Sequence, residues 1–126
     1  MSEDKQHTIL VVDDEEMNLI ILSKLLNRLG YQIKTAKSGR EALDLLESGN
    51  ELPSLVLMDL MMPEMNGWEA TEAIKKSDKL NHLPVIAVTA LGAEMDNALK
   101  FGFDGFCAKP INFANLEVMI KEKVTA

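Results

Sequence analysis

The chain has 126 residues, 47% of them hydrophobic, and a formal net charge of −7, which fits about one domain burying roughly two thirds of its unfolded surface. Its single cysteine, Cys107, excludes an internal disulfide and a cysteine-based metal site and points to a reducing, cytoplasmic setting. The acidic balance without a basic cluster argues against direct nucleic-acid binding, and neither a signal peptide nor an apolar run of the roughly 18 residues a membrane span needs is present.

Thr8 to Val12 is apolar and β-branched and reads as a strand. Met17 to Leu29 carries Leu22, Leu25, Leu26 and Leu29 at helical spacing and is closed by Gly30. Tyr31-Gln32-Ile33-Lys34-Thr35 alternates apolar with polar, which suits an edge strand. Ser38-Gly39-Arg40-Glu41 has capping-box spacing and opens a helix with Ala42, Leu45 and Leu46 on one stripe, ending near Gly49. Leu55-Val56-Leu57-Met58 is a continuous apolar run, as in a parallel strand buried on both faces, and it ends in Asp59. Asn66-Gly67-Trp68-Glu69 starts a helix burying Ala70, Ala73 and Ile74. Pro84 can stand at the first position of strand Val85-Ile86-Ala87-Val88. A helix over 93–101 stops at Gly102, a short strand runs from Gly105 to Ala108, and Asn112 can cap a final helix with Phe113, Leu116, Ile120 and Val124 inward. The count is five strands and five helices.

Regular alternation with short connections predicts an α/β fold: a doubly wound, five-stranded parallel sheet with right-handed crossovers. The half-polar second strand and the short fifth suit the order 2-1-3-4-5, which makes strands one and three neighbours. Ligands in such sheets bind at the carboxyl ends of the strands. Asp13 and Asp14, after the first strand, and Asp59, after the third, therefore converge in one crevice with Thr89 and Lys109 at the ends of the fourth and fifth. Magnesium takes oxygen ligands and typically one or two protein carboxylates; Asp14 suits a direct ligand and Asp13 a direct or water-linked one, with Asp59 beside them. The acids before Glu15 and Glu16 also suit the positive end of a helix. Lys109 offers a point charge on a long stem, and Thr89 a hydroxyl donor.

Val11-Val12-Asp13-Asp14-Glu15, Leu57-Met58-Asp59-Leu60-Met61-Met62-Pro63-Glu64-Met65-Asn66-Gly67, Val85-Ile86-Ala87-Val88-Thr89-Ala90 and Ala108-Lys109-Pro110 together resemble the receiver domain of bacterial response regulators over roughly residues 8 to 123. The resemblance implies a flavodoxin-like receiver fold and a phosphorylation switch rather than a conventional enzyme. In it Asp59 accepts a phosphoryl group from the phosphohistidine of a sensor histidine kinase, or exchanges it with a histidine phosphotransfer protein. A divalent ion, Mg2+ or Mn2+, is held by Asp13, Asp14, Asp59 and the Met61 backbone carbonyl. Lys109 and Thr89 contact the phosphoryl group, and the Lys109–Pro110 bond is cis. Thr89 and Phe106 are the implied switch pair, and the changing surface comprises helix 93–101, strand 105–108 and the helix after Asn112. Phe106 stands where tyrosine is commoner and brings no hydroxyl. Met61 and Leu91 flank the implied path of an attacking water, and neither can orient it, which predicts a long-lived acyl phosphate.

Among rival chemistries, an aspartate-nucleophile phosphatase or dehalogenase carries a second Asp two positions on, where this chain has Met61. A flavin or nucleotide binder needs a Gly- or hydroxyl-rich loop after strand one, and Asp13-Asp14-Glu15-Glu16 would repel that phosphate. The remaining alternative is a non-phosphorylated, receiver-like interaction module. Met58, Met61, Met62 and Met65 gather around Asp59, some of them core and some suited to docking. Cys107 reads as a buried strand residue and His7 and His82 as solvated, so the phosphohistidine belongs to another protein. The expected organisation is a polar leader over 1–7, a receiver domain over 8–123 and a tail over 124–126 with no output domain. A stand-alone regulator acting on a downstream protein target is expected, as monomer or phosphorylation-dependent dimer, without direct contact to nucleic acid or membrane.

Overall fold

The computed structural model describes residues 7–49, 52–60, 67–89, 102–108 and 111–125. Five parallel strands, β1 (Thr8–Val12), β2 (Gln32–Ala36), β3 (Leu55–Asp59), β4 (Val85–Thr89) and β5 (Gly105–Ala108), form one sheet in the order β2-β1-β3-β4-β5. That is the predicted order. β3 is buried along its whole length and hydrogen-bonded on both sides, to β1 and β4, as its uninterrupted apolar run requires. β2 is mostly exposed and lies at the edge.

Helices α1 (Glu16–Arg28), α2 (Gly39–Ser48) and α3 (Gly67–Lys76) and a C-terminal helix (Phe113–Thr125) are present among the described residues. The helix expected over 93–101 lies outside the described residues. Side-chain alternation along the strands divides the core in two. On one face Ile9, Val11, Leu55, Leu57, Ile86, Val88 and Cys107 pack with Leu19, Leu22 and Leu26 of α1 and Leu116 and Ile120 of the C-terminal helix. On the other, Leu10, Val12, Val56, Met58, Val85 and Ala87 pack with Ala42, Leu43 and Leu46 of α2 and Ala70 and Ile74 of α3. The sheet is covered on both sides, which is what lets a parallel sheet exclude water from its ladders.

The helix ends follow their local chemistry. α1 closes in a Schellman arrangement: Tyr31 N–H donates to the Leu26 carbonyl at 3.2 Å and Gly30 N–H to Asn27 at 3.0 Å, with Gly30 at φ 99°. Ser38 Oγ caps α2 by accepting from Glu41 N–H at 3.0 Å. The return arm differs from a standard capping box, because the Glu41 carboxylate accepts from the Lys37 N–H rather than from that of Ser38. Asn112 caps the C-terminal helix through Asn115 N–H, 3.1 Å from its Oδ1. At the amino ends of β4 and β5, Asp104 Oδ2 accepts from Val85 N–H at 2.8 Å and from Lys75 Nζ at 3.0 Å, and the same ammonium donates to the Leu83 carbonyl at 2.9 Å. α3 is thereby tied to that corner of the sheet.

Several expected core positions are corrected. Leu45 is exposed and Leu43 takes its place, because α2 turns the stripe Gly39, Ala42, Leu43, Leu46 inward. Leu29 is exposed: α1 ends at Arg28 and Leu29 already belongs to the turn. Phe113, in the first turn of its helix, is exposed, while Leu116 and Ile120 are buried. His7 is half-buried, its Nδ1 2.9 Å from Ser54 Oγ, because the chain entering β1 runs beside the one entering β3; His82 is exposed as expected. Cys107 is buried as expected.

Candidate functional site

The register of the central strands builds the site. Val12 stands opposite Met58, so the residues that follow, Asp13 and Asp59, emerge side by side at the carboxyl end of the sheet. Asp13 is 3% exposed and Asp59 4%, whereas Asp14 is exposed. One carboxylate oxygen from each of the three lies within 4.8 Å of the others. Sequence reasoning thus placed this trio correctly.

Asp13 is also held locally. Its Oδ1 accepts from Glu15 N–H at 2.9 Å, a link across two residues that serves the exposed amino end of α1. Its Oδ2 accepts from Asn18 Nδ2 at 3.2 Å, and the same nitrogen lies 2.8 Å from Glu15 Oε1. The helix-start role considered for the acids is therefore real for Asp13 and coexists with its place in the cluster. Asn18 was missed by sequence reasoning. Its signal was the spacing Glu15-x-x-Asn18 across the first turn, which puts both side chains on one face.

β4 runs beside β3, and Thr89, its last residue, pairs with Ala108 at the end of β5. The ends of β3, β4 and β5 are therefore neighbours. Lys109, Met61 and Leu91, the Thr89 side chain and the Lys109–Pro110 bond lie outside the described residues, as do Met62 and Met65. Met58 is fully buried and belongs to the core. Phe106 is partly buried against the cluster on the α2 and α3 face. Trp68 meets Phe103 edge to face, with ring centroids 5.4 Å apart.

The donor set fits a divalent ion of the magnesium class. Three carboxylates supply hard oxygen ligands with no nitrogen or sulfur among them, which suits Mg2+ or Mn2+ rather than zinc. Two of the acids are withdrawn from water, so their mutual repulsion is poorly screened and a bound cation would relieve it.

The sequence model of the response regulator receiver domain matches residues 9–121. The chain belongs to that family. Among curated relatives, this receiver is 35% identical over 116 residues to the polar-differentiation response regulator DivK of Brucella ovis, covering 90% of this chain and 93% of that protein. Among solved structures it is similar to the receiver domain of a signal transduction histidine kinase from Syntrophus aciditrophicus, at TM-score 0.86 and 30% identity over 94% of this chain and 90% of that one. It is also similar to the receiver domain of sensor histidine kinase PA1611 from Pseudomonas aeruginosa, at TM-score 0.86 and 27% identity over 97% of this chain and all of that one. The latter structure has a magnesium ion coordinated in its active-site cleft. This receiver is thus a component of two-component, phosphorylation-based signalling. No helix among its described residues is long and apolar enough to cross a membrane.

Proposed function

We propose that this receiver accepts a phosphoryl group on Asp59 from the phosphohistidine of a sensor kinase or phosphotransfer protein and then signals by altered docking. The observation that carries the reading is the convergence of buried Asp13, exposed Asp14 and buried Asp59 within 4.8 Å at the carboxyl end of the sheet. An Asp59 carboxylate oxygen forms the new bond to phosphorus as the bond from phosphorus to the histidine nitrogen breaks, and the departing imidazole keeps that electron pair and takes up a proton. Charge spreads over the three equatorial oxygens during transfer. A divalent ion held by Asp13, Asp14, Asp59 and the Met61 carbonyl would offset that charge. Lys109 and Thr89 donate to the remaining oxygens. Thr89 moving toward the phosphate and Phe106 moving inward alter the surface of 93–101, 105–108 and the C-terminal helix; without a hydroxyl, Phe106 relies on packing alone.

Partner contact is supported by an exposed apolar stripe next to the site. Met17, Ile20 and Ile21, at 65%, 44% and 43% exposure, share one face of α1, the helix that begins just after the two acids. Such a stripe suits a protein partner that must bring its histidine to Asp59. We assign residues 8–123 to a receiver domain that acts on a protein target in the cytoplasm.

Incubation with Mg2+ and acetyl phosphate followed by intact mass measurement tests the reading. A single phosphoryl adduct is expected, absent from Asp59→Asn; a wild-type chain that never gains the adduct supports the constitutive interaction module instead.

A further inference from the structure

We propose that Asn18 is a positioning residue of the cation site, holding the Asp13 carboxylate in the orientation that receives the ion. The proposal rests on the reading of Asp13, Asp14 and Asp59 as that site. Asn18 Nδ2 lies 3.2 Å from Asp13 Oδ2 and 2.8 Å from Glu15 Oε1. Both neighbours are carboxylates, which only accept, so the amide must present its NH2, one N–H to each acid. Glu15 N–H takes the other Asp13 oxygen at 2.9 Å. With a donor on each oxygen, the plane of the carboxylate is fixed, and a carboxylate oxygen can accept more than one partner.

The need for such a clamp follows from charge. The three carboxylates crowd within 4.8 Å; exposed Asp14 can turn to water, but Asp13, 3% exposed, has no comparable escape. The Asn18 amide holds the carboxylate against that repulsion, so that its plane is already set when a cation binds. A lysine at position 18 would hold Asp13 as well but would neutralise the charge that attracts the ion. An amide holds it and leaves the charge in place. Asn18 is thus an outer partner of the kind that orients a metal ligand without touching the metal.

The test measures cation binding without phosphorylation, by the electron paramagnetic resonance signal of free Mn2+ during titration of wild type, Asn18→Ala, Asn18→Gln and Asp13→Asn. Asn18→Ala should weaken Mn2+ binding by about tenfold without lowering the metal-free urea midpoint, and Asn18→Gln, which keeps the amide, should restore part of the affinity. In wild type, the Asn18 side-chain amide resonances should shift when Mg2+ is added. Equal affinity in wild type and Asn18→Ala, with Asp13→Asn still weak, overturns the role of Asn18 and leaves the site standing. Amide resonances that ignore Mg2+ overturn it as well. A wild-type chain that binds no Mn2+ overturns the site reading and the proposal with it.

Discussion

Asp13 follows β1 and Asp59 ends β3, neighbouring strands from distant parts of the chain, and the Val12 to Met58 pairing sets the two acids side by side. Their closeness has a thermodynamic consequence. A cation that binds the folded cluster and not the unfolded chain stabilises the fold, so Mg2+ at ten times its dissociation constant should raise the thermal midpoint by about 4–7 °C. In Asp13→Asn that gain should shrink. A midpoint gain identical to that of wild type would remove Asp13 from the ligand set.

Phosphate lifetime gives a second prediction. With methionine at position 61 and leucine at 91, no side chain at either position can hold a water for attack on the acyl phosphate. Met61→Asn supplies a polar group that can orient water and should speed loss of phosphate by about tenfold, less than the roughly 100-fold or more of a true general acid or base. The decay of the phosphoryl adduct, followed by intact mass, measures this. An unchanged half-life would mean that position 61 has no kinetic part.

Thr71 offers a stability test remote from the site. Its side chain is fully buried in α3 and its Oγ1 has no hydrogen-bond partner among the described residues. A buried hydroxyl left unpaired costs about 1–3 kcal/mol, and valine has the same shape and nearly the same helix propensity. Thr71→Val should therefore stabilise the fold by about 1 kcal/mol, seen as a higher urea midpoint at unchanged slope. A lower midpoint would show that the hydroxyl is used.

Alkaline pH should weaken the fold through two groups. Burial pushes the Cys107 thiol above its ordinary 9.0, outweighing the backbone hydrogen bond from Asn112, and burial likewise raises Tyr31 above 10.0 despite Lys121. Each is an acid that ionises more readily in the unfolded chain. Their contribution is fully present below the ordinary values and is lost as pH rises from those values through the raised ones. Urea midpoints should fall on going from pH 8 to pH 10.5, and Cys107→Ala should fall less steeply over the lower part of that range. Parallel pH profiles would exclude the thiol.

The strand order was legible because β3 has no polar residue before Asp59 and β2 alternates, which separates a central strand from an edge. The acidic trio followed from that order and from strand-end position. What escaped was rotation about helix axes. In α2 both Leu43 and Leu45 fit a period of 3.6 with Ala42 and Leu46, and only packing against the sheet selects Leu43. Periodicity likewise put Phe113 on the inward stripe, but in the first turn of its helix it is exposed while Leu116 and Ile120 are buried. Asn18 escaped because it carries no charge: its part is that of a neutral donor, and only the folded placement of α1 brings its amide to the Asp13 carboxylate.

β3 is enclosed above, below and on both flanks, and its last residue is the one we assign as phosphoacceptor. The receptor for the signal is therefore assembled last in logic if not in time: a chain in which β1 and β3 have not yet joined owns every reactive group but no pocket. On the proposed reading, newly made or partly melted copies would be mute, and entry into the pathway would itself report a completed fold.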